Sequence, residues 1–119
     1  MSAASLVNKD GKVVEPTAES FAAAAASADW SAKPGMGISL NNQAGEKTWP
    51  ITGATFILMH KKVDNASKSA EVLKFFDWAL TKGQPQASAL EYIPLPDAVV
   101  AKIKESWKQI MDASGKPVI

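Results

Sequence analysis

The chain has 119 residues, 46% hydrophobic and 21% charged, with a formal net charge of +1 from 13 basic and 12 acidic residues. Those values fit one soluble domain with a core of its own, and the scattered lysines exclude the basic stripe that nucleic-acid binding needs. Every basic residue is a lysine and there is no cysteine, which excludes arginine recognition of an anion, disulfides and thiolate chemistry.

Around Met1–Ser5 there is neither a basic stretch nor a long apolar core, so no signal peptide is expected there. The longest apolar run, Phe56–Met59, is far too short to cross a bilayer. Two apolar pairs then flank Asn8-Lys9-Asp10-Gly11, whose turn chemistry predicts a small hairpin. Thr17 is a helix cap and Glu19 suits a first turn. The alanine-rich run Phe21–Ala28 predicts a helix ending near Asp29-Trp30, ahead of Lys33-Pro34-Gly35. Residues 33–48 read as a long polar loop. Its glycines meet neither dinucleotide nor P-loop spacing.

Ile51–His60 is the best strand in the chain, apolar enough to be covered on both faces. Asn65 opens a helix in which Val72, Leu73, Phe76, Ala79 and Leu80 share a face, widened by Phe75 and Trp78 and stopped at Gly83. A short helical turn is expected over Gln86–Leu90. A last helix follows Pro94-Leu95-Pro96, with Val99, Val100, Ile103, Trp107, Ile110 and Met111 on one side. Ser114-Gly115-Lys116-Pro117 reads as an unstructured tail. One strong strand among helices cannot make a sheet by itself, so the pattern resembles an excerpt from a larger α/β protein.

Chemistry-bearing residues are sparse. His60 is the only imidazole, and no Ser-His-Asp or metal-ligand spacing surrounds it. Catalysis is therefore not expected, and neither a metal nor a cofactor is called for. The aspartates at 10, 29, 64, 77 and 97 are dispersed. Trp78 and Trp107 fall on or beside apolar helical faces and read as core. Trp30 and Trp49 lie where elements meet and suit packing at a junction.

Three stretches carry a resemblance: TWPITGATFILMHK, EVLKFFDWALTKGQPQA and LEYIPLPDAVVAKI. With DGKVVEPTAESFAAAA, ADWS and the closing SGKP, they are similar, in order and over essentially the whole chain, to the C-terminal part of periplasmic phosphate-binding proteins. These are the solute receptors of the high-affinity phosphate ABC importer. The resemblance implies an α/β fold, namely the C-terminal portion of a two-lobed type II periplasmic-binding-protein fold, with an incomplete sheet and covering helices. It places residues 1–46 in completion of the second lobe and 47–53 in a crossing segment. Residues 54–119 would form a first-lobe strand and the C-terminal helices. The hinge candidates are then Thr48, Trp49, Pro50, Ile51 and Thr52.

The resemblance also implies partners: inorganic phosphate through the full-length receptor, and ABC permease subunits, with a periplasmic location for that receptor. The missing N-terminal part or a second copy of the chain would be a further partner. The family holds phosphate with helix N-termini, Ser and Thr hydroxyls, an Arg and an Asp. This chain has no Arg and no Ser-Gly-Thr loop, so no ligand-binding residue is carried over. The alternative reading is a stand-alone structural fragment that oligomerises or swaps elements without binding phosphate.

Overall fold

The computed structural model describes residues 2–119. It is a small α/β structure with four helices and a two-stranded sheet, and it divides into two compact units, one closing at Thr55 and one spanning Phe56–Ile119.

The first unit opens with the expected hairpin. β1 (Leu6–Val7) pairs antiparallel with β2 (Val13–Val14), Leu6 opposite Val14 and Val7 opposite Val13. Asn8 shapes the turn, its Oδ1 accepting from Asp10 N and Lys12 N at 3.1 and 3.0 Å. α1 (Ala18–Ser27) starts at a reciprocal cap: Thr17 Oγ1 accepts from Ser20 N, and Ser20 Oγ accepts from Thr17 N. This is a capping box with Ser in place of the commoner Glu or Gln. The helix buries Ala24 and Ala25, and Trp30 folds back so that its indole N–H donates to Ala25 O at 2.8 Å. A short 3-10 turn at Pro34–Met36 interrupts the loop that follows.

In the second unit, α2 (Ala66–Leu80) is capped by Asn65, whose side chain accepts from Lys68 N at 2.9 Å. α3 (Gln84–Ala89) starts two residues earlier than the sequence suggests, with Pro85 in its first turn. α4 (Asp97–Trp107) packs on α2. Leu73 is fully buried and forms a core with Val63 and Ile110, flanked by Met59, Trp107 and Val118. Lys104 Nζ of α4 lies 2.5 Å from Asp77 Oδ1 of α2, a charge pair without a directed hydrogen bond.

Three expectations are corrected. Ile51–His60 forms no strand: among the described residues, none from Gly53 to His60 makes a hydrogen bond. An apolar run becomes a strand only beside a partner that takes up its backbone groups, and none of the described residues supplies one. The tail is ordered instead. Asp112 Oδ1 accepts from Ser114 N, Ser114 Oγ and Lys116 N at 2.8, 2.6 and 3.0 Å. The turn so formed brings Met111 into bridges with both Lys62 and Pro117. Finally, Trp78 is 46% exposed rather than core, beside Phe75 at 59%. The helix presents more apolar surface than the second unit can cover.

Candidate functional site

The five hinge candidates lie in the first unit, and most of them are firmly held. Thr48 is 1% exposed and Trp49 9%. Thr48 Oγ1 donates to Gln43 O and Gly45 O at 3.0 and 2.8 Å, and its N–H also donates to Gly45 O. Trp49 N donates to Ser20 O in the first turn of α1, and its ring meets Phe21 edge-on at 5.9 Å between centroids. Pro50 O accepts from Asn42 N at 2.8 Å. Thr52 N donates to Asn41 Oδ1, and Thr52 Oγ1 donates to Trp49 O. Ile51 alone of the five is widely exposed.

The residue that organises this region is Asn8, which sequence reading treats only as part of a turn. It is buried, and its Nδ2 points at three carbonyls: Gly45 O at 3.0 Å, Glu46 O at 2.9 Å and Thr48 O at 3.3 Å. Its Oδ1 holds the hairpin turn, so one side chain ties residues 8–12 to 45–48. Asp10 adds a parallel link, Oδ2 accepting from Gly45 N at 3.0 Å. Gly45 sits at φ +127°, and a Cβ there would stand 3.0 Å from Thr48 Cγ2. Glycine is needed at this position on both counts. Nothing in the sequence separates Asn8 from any other turn asparagine; the signal is the distance of about forty residues to its partners.

Charge at the clasp is peripheral. Lys47 Nζ meets Glu19 Oε1 at 2.7 Å and Lys12 meets Glu46 at 3.5 Å, all four exposed. The Lys47 hydrogen bond holds the Glu19 carboxyl below its ordinary range, and the same bond raises Lys47. His60 is exposed and has no hydrogen-bond partner among the described residues. Among the described residues no three acidic or histidine side chains gather where a metal ion would be held, and no helix is long and apolar enough to cross a membrane. The arrangement is suited to holding residues 45–52 against α1.

No family model matches the sequence. Curated proteins do. The phosphate-binding protein PstS of Haemophilus influenzae is 52% identical over 104 residues, covering 87% of this chain and 31% of the relative. The protein of the same name from Pasteurella multocida is 46% identical over 114 residues, 95% of this chain and 33% of the relative. That from Xylella fastidiosa strain 9a5c is 45% identical over 107 residues, 90% and 29%. The chain belongs to this family. It spans about a third of the length of the relatives it matches. The family alignment thus runs through both units and takes in the clasp.

Proposed function

We propose that this chain is a segment of the solute receptor of an ABC-type phosphate importer, a periplasmic binding protein rather than an enzyme. In this reading the segment contributes lobe, crossing and outer surface, and the phosphate ligands come from elsewhere in the receptor. The observation that carries the reading is the 45–52% identity, sustained over 87–95% of the chain, to proteins named for phosphate binding.

The finer assignments belong to the same proposal. The fold is the C-terminal portion of a two-lobed type II receptor. Residues 1–46 complete the second lobe, 47–53 cross, and 54–119 supply a first-lobe strand and helices. The division of the chain at Thr55 supports a boundary in that region. Thr48, Trp49, Pro50, Ile51 and Thr52 are the hinge of the crossing, with Thr48 and Trp49 held by Asn8 and α1 and Ile51 exposed. Gly53–His60 becomes a sheet strand when the rest of the receptor provides its neighbours. The absence of arginine supports the placement of the ligands outside this segment.

Isothermal titration of the purified chain with inorganic phosphate tests the division of labour. No heat is expected. Micromolar or tighter binding would mean that the segment holds a phosphate site of its own and that the proposed division is wrong.

A further inference from the structure

We propose that Gly53–His60 is a self-pairing strand through which copies of this chain associate edge to edge, as an open-ended array rather than a closed dimer. From Thr52 to His60 the backbone contains no turn, bend or helix, and no N–H or C=O of Gly53–His60 is hydrogen-bonded to another described residue. Both edges of the segment are therefore open. Phe56, Ile57 and Leu58 are exposed by 45, 55 and 90%. The core Ala54–Met59 has no charge, no proline and no glycine, and it carries Thr, Phe and Ile, which favour strands.

A row of alternating donors and acceptors is satisfied by another extended backbone, not by a helix or a compact ligand. A second copy brings the matching strand. Antiparallel pairing about a twofold screw axis along the array sets Phe56 opposite Ile57, Thr55 opposite Leu58 and Gly53 opposite His60. Lys61 and Lys62 then lie outside the paired residues, so no like charges face each other. Parallel in-register stacking would align those lysines and is disfavoured.

Area decides the form of the assembly. Eight residues make a strand about 27 Å long, and one such pair falls short of the roughly 1,200 Å² of a stable interface. A lone pair is weak and leaves two outer edges unbonded. Each added copy satisfies one edge and offers another, so association continues past the dimer.

The test is sedimentation velocity of the full chain from micromolar to millimolar concentration, with amide hydrogen exchange at both ends of the range. The expected result is species larger than a dimer that grow with concentration. The Gly53–His60 amides should exchange freely when dilute and become protected when concentrated. Leu58→Lys, and separately Ile57→Lys, should raise the onset concentration by about tenfold or more, because each places a charge opposite an uncharged partner, Thr55 or Phe56, in every strand pair. Tyr92→Lys, on another exposed apolar stretch, should leave it unchanged. Circular dichroism checks that each variant is folded, and the exchange pattern of the unaltered chain decides the matter without any variant. A monomer at millimolar concentration would overturn the proposal. So would assembly that stops at a dimer or that is indifferent to both lysine substitutions. Amides already protected at dilution would do the same, because the chain would then be covering its own strand.

Discussion

Asn8 places a buried amide against three carbonyls 37 to 40 residues away. Removing it leaves Thr48 O buried without this donor and frees the hairpin turn, while Gly45 O still accepts from Thr48. Asn8→Ala should cost about 1–3 kcal/mol, read as a lower urea midpoint by tryptophan fluorescence. Asn8→Asp is the sharper variant, because an ionised carboxylate would face the carbonyls with no proton to donate. Its deficit should be larger at neutral pH and shrink on acidification, as the protonated acid regains one donor. The exposed pair Lys47–Glu19 makes a different forecast. The depressed carboxyl of Glu19 contributes above its unfolded pKa, and that contribution is lost as pH falls through the lower folded value. The raised Lys47 contributes below the ordinary lysine range and loses it as pH rises through the higher folded value. Neutral pH should therefore show no step from this pair. In an NMR titration, Lys47→Met should return Glu19 to its ordinary pKa; an unchanged value would mean that the ion pair does not persist in solution.

At the scale of elements, legibility followed locality. α1, α2 and α4 are announced by Thr17, Asn65 and the Pro94–Pro96 boundary, because caps and helical spacing act within a few residues. Leu73 belongs to the apolar face read from that spacing, and it is fully buried. Leu73→Ala should lower stability by about 2–5 kcal/mol, whereas Phe75→Ala at an exposed position should change it little. Both are measurable by thermal unfolding. What the sequence does not reveal depends on partners far along the chain. The run Ile51–His60 has the composition of a buried strand, but strand formation requires a neighbour. Trp78 looks like core because periodicity reports which face is apolar, not whether anything covers it. The order of the last residues arises from three hydrogen bonds to Asp112 Oδ1, which also hold that carboxyl below its ordinary range, the Ser114 hydroxyl foremost. Ser114→Ala should raise the Asp112 pKa and increase amide exchange at Lys116.

For the whole molecule, the two units differ in how complete they are. The first ties its hairpin, α1 and residues 45–52 together through Asn8, Ser20 and Trp49. The second has a small core around Leu73 and leaves Phe75, Trp78, Leu90 and Tyr92 exposed. That surplus of apolar surface is understandable in a segment matching about a third of its relatives' length. The family was legible from spaced motifs, but no single residue of the clasp identifies phosphate, which agrees with a segment that contributes architecture. The most direct measurement is a chimera: this chain replaces the matching residues of the Haemophilus influenzae relative, and phosphate is titrated calorimetrically. The account expects a folded chimera that binds phosphate about as well as the unaltered relative. A chimera that folds yet binds no phosphate would contradict it.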